Sequence, residues 1–254
     1  MIYTTKIRLP ESIEFYGDPL CPWTYKSYKF IKLGCNDLKI RFKYVPLSLK
    51  IINSNRSIDK KIQEKLESSF HILETLAHLN LNGYEELSKL VYESICVLIH
   101  DENREITPDL LKDILSSLNY SSVDEVAKAI NDNKSQIYNY LVDTYDSIKV
   151  TVGEDSGSPV VLLQPENIGF FGPIITDNTF NSNNLDDIQT NETAMADIKS
   201  NDSDIKHSDK QSDSALINKG AKYNTSSALT PKEFLIHFIN IARTPYLSEI
   251  KRKR

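Results

Sequence analysis

Apolar and polar positions change their period along the chain, and each change marks an element. Residues 12–16 (SIEFY) form a short β-prone run, and Gly17, Asp18 and Pro19 turn the chain after it. From Trp23 onward the residues Trp23, Tyr25, Tyr28, Phe30 and Ile31 follow the spacing of a helix packed on a sheet. Pro22 fits the first helical position, where its missing N–H would have had no partner anyway. Residues 39–45 alternate and predict a second strand, ended by Pro46. Helical periodicity then dominates from 58 to 147. Leu66, Phe70, Leu73 and Leu76 mark one helix, and Leu87, Leu90, Val91 and Ile95 a second. Pro108 and Asp109 open a third near 110–118, and 123–130 and 137–148 complete the set, with Thr107 and Ser122 as N-caps. Val160 to Leu163 and the FFGPII run at 170–175 read as a strand pair, and Pro231 to Ala242 as a final helix.

The stretch 178–228 has a different character. It is rich in Asn, Asp, Ser, Thr and Lys, and holds no sustained period. Such composition cannot bury enough apolar surface to offset its ordering entropy, so it is expected to be a disordered surface insertion. The expected organisation is a sheet domain from 12–50, 150–177 and 230–247, a helical insertion at 57–149, and a low-complexity insertion at 178–229.

At 254 residues the chain can bury a full core. Lys+Arg 30 against Asp+Glu 35 gives a net charge of −5, which implies no general attraction to nucleic acid or membrane. The terminal KRKR reads as a solvated end. No apolar run near the start is long enough for a signal peptide or a membrane span, so a reducing cytoplasm is the expected location. The 3 cysteines agree, being too few and odd for a disulfide framework. No cysteine–histidine cluster has metal-ligand spacing, and no metal is expected.

Candidate chemistry centres on Cys21. It precedes Pro22 and so would stand at a helix N-terminus, where free N–H groups and the helix dipole favour a thiolate. A free cysteine also often serves as a small apolar packing residue, and these residues alone leave both readings open. The motif reads C-P-W-T, so Thr24 stands where a C-x-x-C pair would carry its second sulfur. Thr24 can give a thiolate a hydrogen bond but cannot form a disulfide. Cys35, expected just after the first helix, and Cys96, in an apolar run, read as packing residues. His100 follows the apolar VLI and precedes Asp101 and Glu102. It reads either as a helix-end histidine or as a residue that moves a proton at neutral pH. Trp23, the only tryptophan, shapes a pocket or simply packs.

Four segments in order carry a family resemblance: FYGDPLCPWTY at 15–25, IHDENR at 99–104, VGEDSGSP at 152–159 and FFGPII at 170–175. Together they resemble the DsbA family of thioredoxin-fold proteins, and within it the actinobacterial mycothiol-dependent nitroreductases. The resemblance spans 13–175, with the end of the chain similar to the family's last helix and tail. It implies an α/β thioredoxin-like fold with an inserted α-helical domain. It implies Cys21 as the nucleophile, and Thr24 and His100 as its catalytic partners, with His100 facing Cys21 across a domain cleft. Pro22, Trp23, Ser158 and Pro159 would hold the thiol, the Ser158–Pro159 bond being cis as is usual there. The family pattern has a second cysteine where this chain has Thr24, which excludes dithiol cycling at that motif.

The implied activity is that of a thiol-dependent oxidoreductase using one thiol. Its co-substrate would be a low-molecular-weight thiol, mycothiol by resemblance, and its partner an electrophilic or disulfide substrate. A transferase or isomerase on the same fold, or a redox-inactive relative that binds a partner along the proline loop, are the alternatives. Oligomeric state is not legible.

Overall fold

The structure is a computed structural model and describes residues 8–105, 107–118, 123–173 and 229–243. Its frame is a sheet of β1 (Ser12–Gly17), β2 (Arg41–Pro46), β3 (Val160–Gln164) and β4 (Ile168–Phe171). The strand order is β2-β1-β3-β4. β1 and β2 are parallel, so a crossover must join them, and α1 (Pro22–Leu38) supplies it. β3 runs antiparallel to both β1 and β4. This βαβ unit followed by an antiparallel pair and a closing helix, α8 (Pro231–Ala242), is the thioredoxin-like arrangement.

Register puts the apolar residues on one face. Ile13 pairs with Phe42 and Leu163, and Phe15 pairs with Tyr44 and Val161. Successive side chains point to opposite faces, so these rows fall together. They join a core shared with Tyr28 and Ile31 of α1 and Leu235 and Ile239 of α8. Gly34 lets α8 approach α1: a Cβ there would lie 2.7 Å from Pro231 O. The opposite face carries Tyr16, Val45, Val160 and Leu162, covered by Ile148 and Tyr145 of α7 (Lys134–Val152).

Between β2 and β3 lie α2 (Leu49–Ile52), α3 (Lys60–Leu81), α4 (Glu85–Cys96), a π-turn (Val97–Asp101), α5 (Pro108–Ser117), α6 (Val123–Asp132) and α7. The helices follow the apolar spacing. Thr107 caps α5 by accepting the Leu110 N–H, as a Thr before a Pro-initiated helix should. These helices have no separate core. Leu73, Leu76, Tyr92, Leu115, Val126 and Leu141 belong to the same cluster as Ile13 and Phe15.

Several expectations need correction. Cys35 lies inside α1, not after it, because the helix runs on to Leu38 and ends with Lys39 in the left-handed region (φ 58). β2 therefore starts at Arg41 rather than 39. α7 continues to Val152, past the expected end of the insertion at 149. Buried residues of the sheet and of the inserted helices belong to one core cluster. The Ser122 cap, the stretch 178–228 and residues 244–247 lie outside the described residues.

Candidate active site

Cys21 is the N-cap of α1. Its backbone is extended (φ −81, ψ 110), its N–H donates to Asp18 O at 3.1 Å, and its carbonyl accepts from Tyr25 N–H. Pro22 occupies the first turn, and no acidic residue stands in that turn. The sulfur is therefore held at the positive end of a helix dipole, on the carboxyl side of β1. Cys21 is half-buried, whereas Cys35 and Cys96 are buried. Burial pushes the Cys35 thiol up to about 12 and the Cys96 thiol well above its usual range. Exposure as well as motif therefore separates Cys21 from the other two.

The loop before β3 faces the sulfur. Cys21 Sγ lies 3.6 Å from Ser158 O, and the Ser158–Pro159 peptide is cis. Pro159 O accepts the Gly172 N–H at 2.8 Å, which ties this loop to the end of β4. Ser158 and Pro159 are buried, while Pro22 and Trp23 are exposed, Trp23 to 40%. The Lys26 ammonium sits 5.4 Å from the centre of the Trp23 ring.

Thr24 corrects one expectation. Its hydroxyl does not bond the sulfur; it lies 2.7 Å from Ser158 Oγ. Thr24 is fully buried, turned inward against Gly17, where any Cβ would lie 2.3 Å from Thr24 Cγ2. One helical turn beyond Cys21, the side chain points under the loop rather than along its surface. Ser158 Oγ in turn accepts the Asp18 N–H at 3.0 Å.

His100 is carried by the π-turn. Its Nε2 lies 2.8 Å from Pro19 O, so that nitrogen carries the proton and donates it. The ring stacks on Tyr25 with centroids 5.4 Å apart, and Tyr25 OH donates to Asp101 at 2.6 Å. Burial pushes the His100 imidazole below its ordinary range. The histidine thus meets the loop that carries Cys21 through the backbone carbonyl of Pro19 and not through the sulfur.

Two residues of the site were not singled out from sequence. Asp18 read as ordinary turn chemistry beside Gly and Pro, yet it is fully buried. Phe171 lay in a strand motif without a role. It is 47% exposed, beside the proline loop, and its ring would lie 3.1 Å from a Cβ at Gly157. Exposed aromatic surface close to a buried loop is the signal that identifies it, and sequence alone does not give exposure. Among the described residues no group of acidic, histidine and cysteine side chains is arranged to hold a metal, and no helix is long and apolar enough to cross a membrane.

Two solved structures of the cytosolic disulfide reductase DsbM from Pseudomonas aeruginosa are similar to the chain, each at 13% identity. The one with GSH covers 60% of this chain and 86% of its own, with a TM-score of 0.44. The other covers 72% of this chain and 98% of its own, also at 0.44. Residues 20–210 match the Rv2466c-like family, described as mycothiol-dependent nitroreductase Rv2466c. That match takes in the Cys21 helix, the inserted helices, the proline loop and most of the chain, and so the protein belongs to the Rv2466c-like, mycothiol-dependent nitroreductase family of thiol oxidoreductases.

Proposed function

We propose that the protein is a single-thiol oxidoreductase in which Cys21 forms a mixed disulfide with a low-molecular-weight thiol. The observation that carries this is the contrast among the three cysteines: Cys21 is half-exposed at a helix N-terminus beside Ser158 O, and the others are buried. The Cys21 thiolate attacks one sulfur of a disulfide RS–SR. A Cys21–S–S–R bond forms, RS⁻ leaves and takes a proton, and a second small thiol later attacks the mixed disulfide to free Cys21. Thr24 offers no sulfur for an internal second step. Pro22, Trp23, Ser158 and Pro159 border the space where R would lie. His100, neutral and donating through Nε2, has Nδ1 as its proton-accepting nitrogen. Family membership favours mycothiol as the thiol and an electrophile or disulfide as the second substrate.

Intact-mass spectrometry tests this. The protein is incubated with a small-thiol disulfide, glutathione disulfide as the probe and then mycothiol disulfide. One adduct is expected on wild type, none on Cys21→Ser, and one on both Cys35→Ser and Cys96→Ser. No adduct on wild type, or an adduct that survives Cys21→Ser, would overturn the reading. The non-catalytic binding alternative would then lead.

A further inference from the structure

Asp18 is connected to more parts of the site than any side chain the sequence singled out. Its Oδ1 accepts the Leu20 N–H at 2.9 Å, inside the turn that carries Cys21. Its Oδ2 accepts the Leu49 N–H at 2.8 Å, at the start of α2. Its own N–H donates to Ser158 Oγ, and its carbonyl accepts the Cys21 N–H at 3.1 Å. Three chain segments distant in sequence meet on this one residue: the Cys21 turn, the loop after β2 and the proline loop. The residue is fully buried, and no cation pairs with its carboxylate in these bonds.

A purely structural residue at this point would serve better uncharged. A buried charge without a counter-ion is costly, and a turn that offers a single N–H can be closed by a hydroxyl or an amide instead. Two carboxylate oxygens, each taken by one backbone N–H, do what an amide cannot. An amide has one acceptor oxygen, and its NH2 would face the second N–H.

We propose that Asp18 is the positioning residue of the site, its ionised carboxylate clamping the Cys21 turn to α2 while its backbone holds the turn against the proline loop. The assignment rests on Cys21 being the reacting thiol. Burial pushes the Asp18 carboxyl up to about 6, against the opposing pull of the two N–H bonds. A proton on one oxygen takes that acceptor from one of the two N–H groups, and the clamp loosens. The titratable groups around it do not titrate in the same window from the β2 and α4 sides. Tyr44 of β2 and Cys96 of α4 both feel the Asp18 charge, and burial holds both well above their ordinary ranges. His100 of the π-turn is held below its ordinary range, on Pro19 O. The proline loop brings only the Ser158 hydroxyl, and α2 brings Lys50, which pairs with Glu67.

The test compares full-length wild type with Asp18→Asn, which imitates the protonated carboxyl, and with Asp18→Glu. The rate of Cys21 alkylation by iodoacetamide is read by peptide mapping from about pH 5 to about pH 8. Dividing wild-type by variant rates removes what the two share. The wild-type to Asn ratio is expected to be about 10 above neutrality, falling towards unity as pH drops through about 6. A ratio that stays constant across the range, or that falls below unity above neutrality as the carboxylate's charge alone would make it by disfavouring the thiolate, overturns the proposal. Should Asp18→Asn fail to fold, Asp18→Glu carries the test: its profile must keep an acid inflection, displaced from that of wild type, and a profile without one overturns the proposal. Alkylation needs no disulfide chemistry. A wild type that forms no mixed disulfide but keeps the pH-dependent ratio therefore defeats the proposed function and leaves the positioning role standing.

Discussion

Thr24 Oγ1 and Ser158 Oγ lie 2.7 Å apart, and both residues are buried, away from water that could replace the bond. Thr24→Val keeps the shape and removes one hydroxyl. Ser158 keeps the Asp18 N–H as donor but loses its hydroxyl partner at position 24, at a cost of about 1–3 kcal/mol. A fall in the urea midpoint is expected for Thr24→Val and its recovery in Thr24→Ser; an unchanged Val variant would show that the hydroxyl pair adds nothing. Thr24→Cys asks a chemical question of the same position. It puts a second sulfur one helical turn from Cys21, at a spacing a disulfide can close. Oxidised Thr24→Cys is expected to resist thiol labelling at both sites, and full labelling of Cys21 after oxidation would exclude the internal bond. Cys21, Thr24 and the Ser158-Pro159 pair were singled out because four short segments in order carry the resemblance, not because any one motif is specific. The Thr24–Ser158 bond was not, since its ends are far apart in sequence. Asp18 escaped for a different reason: burial is a property of the finished fold, and an Asp between Gly and Pro has the look of a turn.

At the scale of elements, the contact of α1 with α8 fixes the helix that carries Cys21 from behind. Gly34 leaves no room for a side chain at this contact. A Cβ there would lie 2.7 Å from Pro231 O and 3.0 Å from Leu235 side-chain atoms. Backbone cannot give way as a flexible side-chain end can, so Gly34→Ala must push α8 outward. A loss of about 1–3 kcal/mol is expected in thermal unfolding, despite the better helix propensity of Ala. An unchanged or raised transition would show that α8 adjusts freely. Long elements were legible from apolar spacing, because a helix such as α3 repeats its signal over many turns. α2 is a single turn and leaves no period to detect. The π-turn after α4 is equally silent in sequence, yet it presents His100 to Pro19 O. The end of α1 was misplaced because Lys39, not Gly, takes the left-handed position that closes it.

For the molecule as a whole, one core joins the sheet to its inserted helices, so a buried charge at the site acts on the stability of the entire unit. Asp18 is that charge. Its carboxyl moves from 3.8 to about 6 on burial, so between those values the folded protein binds more protons than the unfolded chain. The stability this proton contributes is fully present below the unfolded value and is lost as pH rises through about 6. The gap corresponds to about 3 kcal/mol, at 1.36 kcal/mol per unit. His100 works in the opposite sense, since burial lowers it: its contribution is present above the ordinary imidazole value of 6.5 and is lost as pH falls through the lower folded value. Asp18→Asn removes the first effect and leaves the second. Its amide leaves one backbone N–H poorly matched, but that cost does not depend on pH. The difference in melting temperature, variant minus wild type, is therefore expected to rise from about pH 4 to about pH 6.5 and then level off. Calorimetry across that range measures it directly. A flat difference would mean that Asp18 enters the fold already ionised at no cost, and the clamp under Cys21 would then be held without the strain on stability that its buried charge implies.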